Sequence, residues 1–361
     1  MSIFLKKLKH IPKNILISRT DRIGDFILSL PVFEALKTET NAKVSVLCNE
    51  LTTPLLDNNP FVDAIISTDS FPNHDSLIKK IVSYQFDALL VLVNDSVILN
   101  LLPDLKSIPV RIGPLSKPQA FFKYTHPVLQ KRSKSVQNEA EYNLELLKIF
   151  NINTISPVKP RLYISRQETN DFEATYNDLF NFINKSPTIV FHAGMNGSAL
   201  NWKLEYYQLL LLKILKSNFN VVLTGSGESE SDTNRQLLKS AKPTFSGQII
   251  DVSNKLNLRE LAVSISLSHL FIGPSTGPTH IANAVNTPLI SFYPPIKVQS
   301  AKRWEPYLAD SHIFSPEVDC RQKYNCLGDK CEYYECFDLI TPDIVMEQIM
   351  KIKSNRSMCL D

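Results

Sequence analysis

No apolar run in this 361-residue chain approaches the roughly 18 residues that a membrane-spanning helix needs; Leu209 to Leu212 sits inside an amphipathic helical pattern. Met1 to Ile17 has no long apolar centre and no small-residue cleavage site, so no secretory leader is expected and the chain is placed in the cytoplasm. There is no Asp-x-Asp pair, and with it no obvious bridge for a catalytic divalent ion. The net charge is only +3, with Lys and Arg spread along the chain, which excludes the footprint of a nucleic-acid-binding protein. One local exception is the start, where Lys6, Lys7, Lys9, His10 and Lys13 form a solvated basic lead-in suited to peripheral contact with anionic lipid. Glycine is scarce too: ten in all.

What is present has the size and balance of a two-domain globular protein, with 43% apolar and 21% charged residues. Strand-like runs at Ile15–Ser18, Lys43–Cys48, Ala64–Thr68, Asp87–Val93 and Val110–Gly113 alternate with helical patterns, among them one over Phe26–Lys37. The second half repeats the rhythm at Thr188–His192, Asn220–Thr224, Ile249–Val252, His269–Gly273 and Pro288–Tyr293, with helices expected near Leu204–Ser217, Ser229–Ala241, Leu258–Ser268 and Thr279–Val285. Such alternation predicts an α/β protein with parallel, doubly wound sheets in two Rossmann-like domains. Boundaries are expected at residues 1–165 and 186–340, with a helix and tail over 341–361. The polar stretch Asn151–Pro187 would contain the junction and leave room for a helix over Asp171–Ile183.

Seven of the ten glycines, Gly24, Gly194, Gly197, Gly225, Gly227, Gly273 and Gly277, fall just after predicted strands, where open α/β sheets place their ligands. Phe271-Ile272-Gly273-Pro274-Ser275-Thr276-Gly277-Pro278-Thr279-His280 passes from strand through a glycine turn into a helix. The amide groups and dipole of such a helix start favour an anion, and Ser275, Thr276 and His280 add side-chain donors. Arg19-Thr20-Asp21-Arg22-Ile23-Gly24-Asp25 makes the same transition near the other end with an unusual density of ionisable groups. Asp25 there is a candidate base that also has the chemistry of a helix cap. Thr224-Gly225-Ser226-Gly227-Glu228-Ser229-Glu230 follows a third strand, and either Glu228 or Glu230 could accept hydrogen bonds from both hydroxyls of a ribose.

These blocks, in order ILISRTDRIGDFILSLPVFEALK, FHAGMNGSALNWKLEYYQLL, VVLTGSGESE, IGPSTGPTHIANAVNTPLISFYPP and CEYYECFDLITPDIVMEQI, resemble glycosyltransferase family 9, the heptosyltransferases of the lipopolysaccharide inner core, over nearly the whole chain. The resemblance implies the glycosyltransferase B architecture, two Rossmann-like domains facing a cleft, the first binding acceptor and the second a nucleotide-sugar donor, with ADP-heptose favoured. It implies inverting transfer onto a lipopolysaccharide or lipooligosaccharide core at the inner face of the inner membrane. Asp25 would be the general base, with Arg19 and Gly24 orienting it or contacting acceptor. Lys203 would bind the donor diphosphate together with Thr276, Gly277 and His280, and Gly225 would lie beside the nucleoside. Helix termini and cations would replace a metal, so no cofactor is required for catalysis. Trp202 is read as a packing anchor. Acceptor recognition would fall to loops such as Asn94–Leu102 and Ile112–Tyr124, where Arg111, Lys117 and Lys123 suit a phosphorylated glycolipid.

One departure concerns Ser275, which stands where the family commonly has an acidic residue that holds the donor sugar, and this leaves the sugar's identity open. Of six cysteines, Cys320, Cys326, Cys331 and Cys336 fall within 17 residues, with Cys48 and Cys359 apart. Their spacing of five, four and four intervening residues lacks the Cys-x2-Cys knuckle of most zinc sites. A structural metal is one expectation, and reduced thiols before a helix over Thr341–Lys353 the other; stable disulfides do not suit the cytoplasm. A nucleotide-sugar epimerase or hydrolase of the same fold, or a non-catalytic metal-binding scaffold, are the competing functions.

Overall fold

A computed structural model describes residues 3–4, 7–115, 122–152, 157–195 and 199–357. Lys6, Gly197, Lys117 and Cys359, named above, lie outside the described residues, as does part of the Ile112–Tyr124 loop. The chain divides into two compact units, residues 1–163 and 164–361.

The first unit is built on strands β1 (Ile3–Phe4), β2 (Asn14–Ser18), β3 (Lys43–Cys48), β4 (Ala64–Ser67), β5 (Ala88–Val91), β6 (Val110–Pro114) and β7 (His126–Leu129). Their order is β4-β3-β2-β5-β6-β7, all parallel, with β1 antiparallel on the β7 edge. Ile15, Leu16 and Ile17 on β2 and Leu89, Leu90 and Val91 on β5 are fully buried, as strands covered on both faces must be. The helices are α1 (Ile23–Ile27), α2 (Leu30–Thr40), α3 (His74–Ser83), α4 (Ser96–Leu101) and α5 (Glu139–Glu145). The single helix expected over Phe26–Lys37 is therefore two. Pro31 has no amide hydrogen to continue the α1 hydrogen-bond ladder, so α1 ends and α2 restarts with Pro31 in its first turn.

The second unit repeats the plan with helices α6 (Arg166–Thr175) and α7 (Asn177–Lys185), strands β8 (Thr188–Phe191), β9 (Asn220–Leu223), β10 (Ile249–Asp251), β11 (Leu270–Pro274), β12 (Leu289–Phe292) and β13 (Ser311–Phe314), and helices α8 (Leu204–Lys216), α9 (Gly227–Phe245), α10 (Leu258–Ser266), α11 (Gly277–Ala284), α12 (Ala301–Trp304) and α13 (Pro342–Ser357). The parallel order β10-β9-β8-β11-β12-β13 matches that of the first unit strand for strand. In each sheet the order reverses between the first strand and its fourth-placed neighbour, β2 beside β5 and β8 beside β11. Outside the carboxyl ends of such a pair lies the crevice where doubly wound sheets bind ligands.

One helix was expected over Asp171–Ile183; the structure forms two. Tyr176 breaks them with an extended-side φ of −120°, and its hydroxyl donates to Glu260 at 3.0 Å. Trp202 is the packing anchor its position suggested: it stacks on Phe292 at 4.6 Å and donates Nε1–H to the Ile340 carbonyl at 2.9 Å. Val345 and Ile349 of α13 join the same core. Among the described residues no helix is long and apolar enough to cross a membrane.

Gly113 on β6 faces the Tyr124 ring so closely that a Cβ would lie 2.2 Å from Cζ. Tyr124 is buried and its hydroxyl donates to Asn94 Oδ1, so the ring cannot simply swing away. Gly113→Ala should lower the unfolding free energy by roughly 1–3 kcal/mol in urea titration, whereas Gly247→Ala, where no atom lies within 4 Å, should cost far less. Equal midpoints for the two variants would disprove the close fit.

Candidate active site

The β2 strand ends at Ser18 and delivers Arg19 into the first unit with no exposed side-chain surface. A buried guanidinium must find acceptors for its donors and compensation for its charge. Nε donates to Asp21 Oδ1 at 2.6 Å, Nη2 to Asp25 Oδ1 at 2.9 Å, and Nη1 to Glu139 Oε1 at 3.4 Å and Asn143 Oδ1 at 3.3 Å. These carboxylates raise the proton affinity of the guanidinium despite its burial, so it is a permanent cation. Burial pushes the Asp21 carboxyl up, against the opposing pull of Arg19.

Asp25 lies inside α1, whose cap position is Arg22, so it does not cap the helix; its carboxylate is held by Arg19 and is partly exposed, at 21% of the side chain. Gly24 precedes it and gives its carbonyl to the Leu28 amide at 3.1 Å. Across the sheet's switch point, Thr20 donates its hydroxyl to Asp95 in the loop after β5, and Asp95 also accepts from the Ile98 amide at 2.9 Å as the cap of α4. Glu139 and Asn143 left no signal in the sequence, since their partner Arg19 lies 120 and 124 residues away.

In the second unit β8 delivers His192, which is buried, with Nδ1 3.0 Å from Thr224 Oγ1 and Nε2 3.9 Å from Glu230 Oε2. Burial lowers the His192 pKa, favouring the neutral ring. The two acidic candidates separate here. Glu228 is exposed on the outside of α9, while Glu230 is buried and accepts the Ser226 amide at 2.8 Å. Two glycines make room for it: a Cβ on Gly194 would lie 2.4 Å from Glu230 Cδ, and one on Gly225 would lie 3.0 Å from its Cβ. Gly227 takes φ +78°, the left-handed region, to start α9, and its amide donates to Asn254 Oδ1 at 2.8 Å.

Beside β8, β11 runs into the Ser275–Thr276 turn and α11. Thr276 is the N-cap residue but makes no side-chain cap bond, and Ser275, Thr276 and Gly277 are half-buried at the helix start. His280 lies one turn further in, buried, and its Nδ1 has no hydrogen-bond partner. Burial pushes its pKa down to about 4, so at neutral pH it is an uncharged ring with an unsatisfied polar atom behind an anion-favouring helix terminus.

Lys203, expected to be a diphosphate ligand, bonds Glu335 Oε1 and Asp338 Oδ2 at 2.8 Å each. Those carboxylates come from the cysteine-bearing segment and raise the lysine's pKa. All four cysteines Cys320, Cys326, Cys331 and Cys336 line one cavity of about 230 Å³ with Lys203 and Asp338. They are free thiols, with Cys326 exposed and the other three half-buried. Among the described residues no group of three or more His, Cys, Asp or Glu side chains is placed to hold an ion, so the metal that was one of two expectations for these cysteines finds no ligand set there. Without a two-residue knuckle, separate short turns at Gly328–Lys330 and Cys336–Leu339 set the thiols' positions instead of one chelating loop.

Two doubly wound units, one with an arginine-held carboxylate and the other with an anion-favouring helix start, define an α/β group-transfer enzyme of the glycosyltransferase B class. The glycosyltransferase family 9 (heptosyltransferase) model matches residues 75–333, and the chain belongs to that family. It is similar to a candidate glycosyltransferase of Haemophilus influenzae, 30% identical over 326 residues that cover 87% of this chain and 92% of the relative. It is also similar to lipooligosaccharide heptosyltransferase 2 of the same organism, 24% identical over 94% of this chain and 99% of the relative. Among solved structures, Escherichia coli ADP-heptose lipopolysaccharide heptosyltransferase II superposes with a TM-score of 0.77 at 19% identity, covering 96% of this chain and 99% of that one.

The buried His280 ring sets a pH dependence. Its folded value of about 4 lies below the ordinary 6.5, so the unfolded chain takes up the proton first. Stability therefore falls as pH drops below 6.5, and this loss levels off near pH 4. At about 1.36 kcal/mol per unit the ring accounts for at most ~3 kcal/mol. Denaturant titrations from pH 7 to 4 should show His280→Gln losing less stability than the parent, while His192 remains in both; parallel curves would mean that the ring charges inside the fold.

Proposed function

We propose that this glycosyltransferase moves a sugar, heptose from ADP-heptose in the favoured case, onto a lipopolysaccharide or lipooligosaccharide core with inversion at the anomeric carbon. The observation that carries the reading is the partly exposed Asp25 carboxylate, fixed by a fully buried Arg19 at the switch point of the first sheet. Asp25 takes the proton of an acceptor hydroxyl as that oxygen attacks the anomeric carbon. The bond from that carbon to the diphosphate oxygen breaks, and the nucleoside diphosphate leaves on the opposite face. Its charge is met by the α11 N-terminus at Thr276 and Gly277 and by Lys203. The Glu335 and Asp338 pairs on Lys203 are water-screened, so a diphosphate can replace them.

Glu230 is the ribose acceptor of choice over Glu228, since its seat between Gly194 and Gly225 fixes its direction. Ser275 in the sugar-holding turn can donate or accept but carries no charge, which leaves room for a different sugar on the same diphosphate. The enzyme would work in the cytoplasm at the inner face of the inner membrane, with the exposed Lys9 and His10 of the lead-in toward anionic lipid.

Calorimetric titration with ADP, ADP-heptose, UDP and GDP tests the donor site. Adenine nucleotides should bind, and Lys203→Ala should weaken them. Asp25→Asn should retain that binding while sugar transfer to lipopolysaccharide cores falls about 10²- to 10⁴-fold. Absence of nucleotide binding would refute the donor assignment, and release of free sugar with no glycosylated core would make the protein a hydrolase.

A further inference from the structure

We infer that Glu139 and Arg132 are positioning residues that set the proton affinity of Asp25 from opposite directions, acting through Arg19. The inference rests on the reading of Asp25 as the base. Glu139 is buried in the first turn of α5, and its Oε1 accepts from two guanidiniums, Arg19 Nη1 at 3.4 Å and Arg132 Nη1 at 2.5 Å. Asn143, one turn along α5, repeats the bridge: its Oδ1 lies 3.3 Å from both Arg19 Nη1 and Arg132 Nη2. Its Nδ2 donates to the Leu28 carbonyl at 3.2 Å and so braces α5 against the chain that leaves α1. Arg132 is held in turn, with Nε on Gln130 Oε1 at 2.9 Å and the guanidinium 5.6 Å from the Tyr142 ring centre.

The group thus runs from Arg132 through Glu139 and Arg19 to Asp25. Its charged members are two arginines and the carboxylates of Asp21, Asp25 and Glu139. Asp95 faces the same loop through Thr20, and Arg22 is exposed. Low polarisability around buried charges keeps these couplings strong. Glu139 shares one negative charge between two cations. What Arg132 draws from it, Arg19 must seek elsewhere, and the partner open to substrate is Asp25. With Glu139 neutral, Arg19 would concentrate on Asp25 and make it a weaker base. With Arg132 neutral, Glu139 would turn wholly to Arg19 and leave Asp25 more basic. The sequence carries no trace of this arrangement, because Arg19 and Glu139 meet across 120 residues.

The titration of Asp25 itself is the test, since it does not depend on knowing the acceptor. The full-length protein is labelled at aspartate ¹³Cγ, and the Asp25 signal is identified by its loss in Asp25→Asn. Glu139→Gln should move the Asp25 midpoint down and Arg132→Gln should move it up, each by about one pH unit. The acidic limb of the transfer-rate profile with ADP-heptose and lipopolysaccharide core should follow in the same directions, with KM for the donor unchanged. Should Glu139→Gln not fold, Glu139→Asp, which draws the carboxylate back from Arg19, should give a smaller downward shift, and Arg132→Lys provides the milder form on the other side. Shifts of the same sign, or none, overturn the proposal; loss of stability alone with an unmoved midpoint makes Glu139 purely structural. Full transfer by Asp25→Asn would instead remove Asp25 as base while the opposed shifts still stand.

Discussion

A guanidinium with no water contact is the constraint on which the first unit's functional end depends. Arg19 follows directly from β2, the central strand, so it cannot be moved outward without breaking the sheet. Its charge is tolerable only if carboxylates come to it. Asp21 comes from the turn itself and Asp25 from the first turn of α1, and together they fix the shape of the loop into that helix. Glu139 comes from a distant helix and so fixes where α5 sits. The same charge that demands these partners also holds the Asp25 carboxylate in one direction at the carboxyl end of the sheet, where the proposed transfer needs a base. Fold and chemistry share one interaction.

The two sheets use the same strand order yet place different chemistry at their switch points. In the first unit the crevice is lined by formal charges in close contact. In the second, the rings at β8 and α11 are kept neutral: His192 and His280 are buried and burial disfavours their charged forms, and they lie beside a helix start whose cap side chain makes no bond to the helix amides. A network of fixed charges suits the handling of a proton, and neutral surroundings with free amide donors suit a leaving group that brings its own negative charge.

Much of this was legible in the sequence, and the reasons for the rest are physical. Strands buried on both faces read as short apolar runs, and β3 was bounded to the residue. The loops carrying Arg19 to Asp25 and Ser275 to His280 stood out because they concentrate donors and acceptors in a few positions. The break before Pro31 was visible in principle but was overridden by the amphipathic pattern around it. β7 (His126–Leu129) carries Pro127 and β13 (Ser311–Phe314) begins Ser311-His312, so neither shows the apolar run by which equally short strands were read. Pairings across the chain left no mark: Glu139 meets Arg19, and Glu335 and Asp338 meet Lys203, over separations of more than a hundred residues. The cysteine cluster shows the opposite limit, since proximity in sequence brought four thiols to one cavity without a chelating geometry.

The seat of Glu230 has a wider meaning for how such a site tolerates change. Neither Gly194 nor Gly225 takes a backbone conformation closed to other residues; what each supplies is an empty volume that the carboxylate fills. The acid is therefore aimed by two missing methyl groups on separate loops. A side chain at either position would need no new backbone conformation, but would push the acid from its seat. If Glu230 holds the ribose as proposed, the direction of its contact with the sugar hydroxyls is thus stored as vacancy on two neighbouring loops.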